Sequence, residues 1–266
     1  MAGARRALQA DWPARAGWLA LAAYVVYAFA RLDFSWPRFA TGLDNGARFL
    51  QRMLPPRIAQ PDSLLNGLAE SLEIAVLASF VGIVLALPIG LMAARNLMPA
   101  WVSWPARSLI AAARSFHPVI VAIVFVKAVG FGALAGICAL VVASVGFIGK
   151  LFAEAIEEIS LKQVEAVRAT GASFANVIAF GVLPQVFSRF IGFATYQLDS
   201  NLRNSTMVGI VGAGGIGGTL FSAFQRFDYD FVAAILLAII AMIMAGELLA
   251  TWVRKVFVER GKVDEE

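Results

Sequence analysis

Cysteine, histidine and charge are all scarce in this chain. Cys138 is its single cysteine and His117 its single histidine among 266 residues. One thiol cannot build a disulfide framework, and one imidazole without a cysteine cluster does not make a metal site. The composition therefore argues against a metalloenzyme, and Cys138, inside an apolar run, reads as a small buried hydrophobe. Charged residues are 15% of the chain and apolar ones 60%, against about 25% and about 45–50% in soluble domains. A chain of this length cannot hide that excess in one soluble core, so much of its surface faces lipid. The formal charge of 22 − 18 = +4 is modest, and it reads as a topology signal rather than a nucleic-acid patch.

A membrane-crossing helix needs roughly 20 mostly apolar residues. About six segments qualify, near 17–31, 68–93, 107–129, 131–152, 185–200 and 230–252. The expected fold is all-α and polytopic. Arg114, His117 and Pro118 interrupt the third segment, and a broken helix is tolerated only against protein or a water-filled cavity. The fifth carries Arg189, Gln197 and Asp199. Arg5, Arg6 and Arg15 precede the first segment, while Arg254, Lys255, Arg260 and Lys262 follow the last. An even number of spans with both termini cytoplasmic satisfies them. The stretch 32–66 then lies outside despite Arg38, Arg48, Arg52 and Arg57, and Phe49, Leu50, Met53 and Leu54 suggest an amphipathic piece at the interface. Arg5-Arg6, an apolar run and Ala28-Phe29-Ala30 also have the outline of a cleavable leader. The favoured reading keeps residues 1–30 as an anchor.

Between the fourth and fifth segments the composition changes. From Lys150 to Arg168 charged residues accumulate, including Glu154, Glu157, Glu158, Lys162 and Glu165, while Ile156, Ile159, Val164 and Val167 recur at helical spacing. The pattern predicts one amphipathic helix rather than a span. Gly171 ends it, a short helix follows over about 173–180, and Pro184 stops that helix before the next span. This arrangement resembles the EAA loop of ABC importer permeases. Glu165, Ala166, Gly171, Leu183 and Pro184 fall on its pattern; Val167 stands where a third Ala is usual and Gly181 where an Ile is usual. A part that transmits motion must be small where it seats, hence Ala166, Ala169 and Ala172, and it needs a rigid corner, which Gly171 and Pro184 supply. Glu165 is left to pair with a partner's basic group or with the loop's own backbone.

Residues 199–219 read DSNLRNSTMVGIVGAGGIGGT. A phosphate-binding loop would require Gly-Lys-Ser/Thr, and Gly217-Gly218-Thr219 has no lysine. No βαβ unit is available for a dinucleotide fingerprint. The glycines are read instead as sites of close helix packing and bending. No cofactor is expected in this chain, with ATP and Mg left to a partner ATPase.

Three further stretches resemble the phosphonate/phosphite permeases of the binding-protein-dependent type I importers. They are Arg114–Pro118, Gly149–Glu157 and Arg203–Gly209, supported by Thr170–Ser173 and Leu183–Gln185. The resemblance covers roughly residues 65–255, and His117 departs from a more usual small aliphatic residue. It implies an inner-membrane permease, not an enzyme, with a type I importer fold. Segment 1–66 would carry the first span and external loop, 67–255 the transporter domain with a coupling loop at 154–184, and 256–266 a cytoplasmic tail. The implied partners are two ATPase subunits, a second permease copy or paralogue, a periplasmic or lipid-anchored solute-binding protein, and membrane lipid. Nucleic acid is not expected. Arg114, His117, Arg203, Thr206, Gly212, Gly214 and Gly215 are the pathway or gate candidates. Phosphonate or phosphite is the expected cargo, with methionine, betaine or another small solute as the alternative. Arg suits phosphonate oxygens, although Arg114, Arg189 and Arg203 could equally be neutralised within the protein, for instance by Asp199.

Overall fold

A computed structural model describes residues 12–32 and 34–255. Arg5, Arg6, Arg260, Lys262 and the expected tail at 256–266 lie outside the described residues. The chain divides into two compact units, Met1–Leu54 and Pro55–Glu266, and the described residues of both are helical, without strands.

The first unit holds α1 (Trp12–Arg31) and α2 (Trp36–Arg52). Trp36, Phe39, Leu43 and Leu50 are spaced to share one side of α2, and all but Phe39 are more than half exposed. Phe34, Trp36 and Phe39 stack in edge-on and tilted pairs at its start, and Asp44 pairs with Arg48 at 2.7 Å on its polar side. The amphipathic piece expected in 32–66 is thus a helix.

The second unit contains α3 (Pro61–Ala93), α4 (Ala100–Ser115), α5 (Pro118–Val129), α6 (Ala133–Glu157), α7 (Leu161–Ala169), α8 (Phe174–Asn176), α9 (Leu183–Ile210), α10 (Ile216–Gln225) and α11 (Tyr229–Arg254). Among the described residues four helices are each long and apolar enough to cross a membrane, and counting each of two bent helix pairs as one span, one pair in each unit, gives up to six. One bent pair is α4 and α5, which meet at 92°. Pro118 explains the break. It has no N–H and drives the preceding residue out of the helical region, so His117 is extended; Phe116 before it is extended as well. The His117 ring then caps α5, its Nδ1 accepting from the Val119 N–H at 3.4 Å.

The helices α3 and α6 make the most extensive contact in the unit. The buried face of α3 consists largely of small residues, among them Ser71, Ala75, Ala78, Ser79, Gly82, Ala86 and Gly90. A Cβ on Gly82 would lie 2.4 Å from Ser144 Cβ, and one on Gly90 would lie 2.9 Å from the Gly149 carbonyl. Small side chains let the two backbones meet where lipid offers no hydrophobic drive.

Two boundaries differ from expectation. The helix expected over Lys150–Arg168 is two helices, because α6 continues to Glu157 and the chain turns before α7 begins at Leu161. Ile156 is fully buried, so the stretch before the turn belongs to the bundle. Nor does Pro184 separate a short helix from the fifth span. Helix runs from Phe174 to Ile210, passing Pro184 through a π-helical turn at Val177–Val182. The wider turn accommodates the missing N–H. Several of the polar groups on this span find partners in the bundle, as described next.

Candidate functional site

One end of the bundle is a platform that presents α7. Its base is a buried cluster containing Ala94, Phe152, Ile156, Val164, Val177 and Val182. Val164 anchors α7 there at 1% exposure. Glu165, Ala166, Ala169 and Gly171 lie exposed. Gly171 has φ +76, a conformation that suits glycine, and its N–H bonds to the Arg168 carbonyl at 3.0 Å. Ala172 is half-buried against the cluster, so among the candidates it faces inward. Leu183 and Pro184 are exposed at the start of α9.

Three polar clamps hold the platform. Glu157 accepts from the Arg95 backbone N–H at 2.8 Å and pairs with Arg107 at 3.2 Å. Asn96 donates to the Ile156 carbonyl at 2.7 Å. Arg189 pairs with Glu158 at 2.5 Å. Gln185 completes the set: its Oε1 accepts from the Ser160 N–H at 2.9 Å, and its Nε2 donates to the Gly181 carbonyl at 2.6 Å and the Ser160 carbonyl at 3.4 Å. That side chain fixes the turn from which α7 departs. Sequence reasoning did not assign Gln185 this role, although its place directly after Leu-Pro marked it.

The pathway candidates fall in separate places. Gly212, Gly214 and Gly215 form the link between α9 and α10 at the end remote from the platform, all with positive φ. They pack against Phe131, Ala133, Glu70 and Ser71, and Ser71 Oγ accepts from the Ile216 N–H at 2.9 Å. Thr206 is buried on α9, its hydroxyl without a hydrogen-bond partner. Arg203 pairs with Asp199 one turn away. His117 caps the α4–α5 break, and Arg114 lies along α6, near Gly146.

The centre of the bundle holds a network that the sequence did not reveal. Gln197 Nε2 donates to Ser144 Oγ at 2.9 Å and to Asn201 Oδ1 at 3.0 Å. Asn201 Nδ2 donates to Ser79 Oγ and Ser144 Oγ, each at 2.9 Å. All four residues are buried, and they join α3, α6 and α9. Buried polar groups must be paired when no water reaches them. This network makes a helix as polar as α9 tolerable inside the bundle.

Residues 86–262 match the family described as the binding-protein-dependent transport system inner membrane component. The chain belongs to that family. It is 41% identical to the phosphite transport system permease protein PtxC of Stutzerimonas stutzeri, over 81% of this chain and 79% of that one. It is 38% identical over 86% of its length to the phosphate-import permease protein PhnE of Mycolicibacterium smegmatis, and it spans 43% of that longer relative. A chain of the MetNI methionine ABC transporter in an inward-facing conformation shares the fold, with TM-score 0.59 and 25% identity over 71% of this chain and 95% of that one. The architecture is the type I ABC importer permease fold.

Within this permease the two departures from the EAA pattern are neighbours. A Cβ on Gly181 would lie 3.4 Å from Val164 Cα and 3.7 Å from a Val167 methyl. Val167 therefore occupies the space that a larger residue at 181 would fill. Gly181→Ala is expected to be tolerated, since those distances are ordinary contacts. Gly181→Ile alone should destabilise by about 1–3 kcal/mol through overpacking, and adding Val167→Ala should recover most of the loss. Thermal unfolding of wild type, Gly181→Ile, Val167→Ala and the double variant measures the coupling between the two sites.

Proposed function

We propose that this chain is the permease of an importer for a phosphorus oxyanion, phosphonate or phosphite, driven by separate ATPase subunits that grip α7 and the turn after it. The observation that carries the cargo reading is similarity to a permease named for phosphite transport, at 41% identity over most of both chains. The methionine transporter chain reaches 25%. The coupling reading rests on the exposed small face of Glu165, Ala166, Ala169 and Gly171, backed by the buried cluster beneath it. A rigid base with a small-residue surface passes a partner's movement to the spans without deforming.

In this reading two permeases, as identical copies or paralogues, enclose the pathway. The platform faces the cytoplasm, and a solute-binding protein delivers cargo at the opposite end, near the glycine link. ATP and Mg are bound by the ATPase, whose closure drives the two α7 helices together. The 67–255 segment is the transporter domain and 154–184 its coupling loop. Both termini lie on the cytoplasmic side.

The test is reconstitution of the complete complex in liposomes with its binding protein. ATP hydrolysis is followed with methylphosphonate, phosphite, phosphate or methionine present. A severalfold stimulation by methylphosphonate or phosphite is expected. Stimulation by methionine and by no phosphorus compound would transfer the cargo assignment to the alternative.

A further inference from the structure

Of Arg114, Arg189 and Arg203, two are neutralised at home, Arg189 by Glu158 and Arg203 by Asp199. Arg114 has no ion pair among the described residues. It lies seven residues from Arg107 on α4, about two turns and about 10 Å further along the helix. Both line a groove of about 340 Å³ between α4 and α6, with Lys150 and Glu154 opposite and Ile110 and Ala153 among the apolar lining. A Cβ on Gly146 would lie 2.8 Å from Arg114 Cγ, so the Arg114 stem is laid against the α6 backbone.

The charges do not balance. Arg107 is held by Glu157 at 3.2 Å and Lys150 by Glu154 at 3.4 Å. Three cations against two carboxylates leave one positive charge over, and Arg114 carries it. The Arg107 Nε is buried without a hydrogen-bond partner. An unpaired guanidinium in a span is costly, and a buried donor left unmade adds to that cost. A bound anion would remove the first penalty.

The geometry points to this groove as a binding site for a phosphorus oxyanion bearing an apolar substituent, with Arg114 as its main contact. Guanidinium groups match such oxygens with paired donors. Donors from Arg114, Lys150 and Arg107 approach from two helices, which suits a tetrahedral group. The apolar lining suits a carbon substituent. Two sources present that chemistry: the headgroup of an anionic phospholipid, and a free alkylphosphonate. The free-anion source rests on the import reading above, whereas the lipid source does not.

The experiment uses the full-length chain assembled with its ATPase in nanodiscs, in two arms. Mixed phosphatidylglycerol and phosphatidylcholine discs are analysed by native mass spectrometry for phosphatidylglycerol retained after delipidation. Phosphatidylcholine discs are titrated with methylphosphonate by equilibrium dialysis. Binding in either arm is expected to weaken about tenfold or more with Arg114→Gln, the loss of a charged hydrogen-bond partner, and less with Lys150→Gln. Glu154→Gln should instead tighten it severalfold, because it removes the competing internal anion. That variant keeps the test sound where Arg114→Gln folds poorly. Retention of neither ligand by the wild type overturns the site. So does binding that Arg114→Gln leaves unchanged, or that Glu154→Gln fails to strengthen. Substrate-stimulated ATP hydrolysis by the wild type reports separately on the import reading.

Discussion

Gly217→Ala is expected to strip folded transporter from the membrane, while the same change at Gly218 or Gly192 leaves it in place. A Cβ at 217 would lie 2.0 Å from the Thr206 carbonyl oxygen, 2.8 Å from Ile210 N and 3.0 Å from the Gly209 carbonyl carbon. All three are backbone atoms, so no rotamer change relieves the clash and α10 must withdraw from α9. Withdrawal also strains the bond from the Ile216 N–H to Ser71 at 2.9 Å, the hold of the glycine link on α3. Overpacking typically costs about 1–3 kcal/mol and more where backbone must move. The helix-propensity gain of alanine over glycine, about 1 kcal/mol, does not offset it. At Gly218 the nearest atom is 3.7 Å away, and at Gly192 nothing lies within 4 Å. Detergent-extracted yield, size-exclusion profile and thermal unfolding of the three variants check the contrast. A Gly217→Ala protein as stable as the other two would remove close α9–α10 packing as the role of this glycine.

Much of the fold was legible in the sequence because its signals are local. Apolar runs mark the spans, Pro118 marks the break that makes α4 and α5 one bent pair, and Gly171 marks the corner after α7. What was not legible depends on distant partners. The network of Ser79, Ser144, Gln197 and Asn201 joins residues separated by as many as 122 positions, and a serine in an apolar run carries no mark of what it meets. The end of α6 is hidden in the sequence for a related reason. Charged and apolar residues alternate smoothly through 150–168, so periodicity offered no stop. The turn at Ser160 is set by Gln185, 25 residues further on. Pro184 carries the mark of a helix stop, yet a π-helical turn takes the helix past it. At the candidate site the exposed face of α7 and its glycine corner could be read from the motif. The pairing of Arg189 and Arg203, and the isolation of Arg114, required the packed helices.

At the platform, Gly171→Pro is expected to abolish ATP-driven uptake while leaving the spans inserted. Two constraints fail at once. Proline holds φ near −65°, whereas position 171 has φ +76. It also disfavours a helical residue before it, and Thr170 is helical with φ −77 and ψ 0. The bond from the Gly171 N–H to the Arg168 carbonyl at 3.0 Å disappears as well. The corner must therefore re-form in another direction, and the exposed face of Glu165, Ala166 and Ala169 turns with it. Because α3, α6 and α11 do not depend on this corner, the chain should still be recovered from the membrane. Uptake into proteoliposomes should fall about a hundredfold or more, since loss of a geometric coupling is not compensated elsewhere, and the ATPase should no longer copurify. Gly171→Asn, which tolerates the left-handed conformation, should retain a substantial part of both. Glu165→Arg tests the same surface without touching the backbone, by reversing the charge a partner would meet. If Gly171→Pro and Glu165→Arg both left uptake and ATPase copurification at wild-type levels, α7 would not be the point of coupling. A loss in Gly171→Pro with rescue in Gly171→Asn would tie transport to the direction of one corner rather than to the side chains around it.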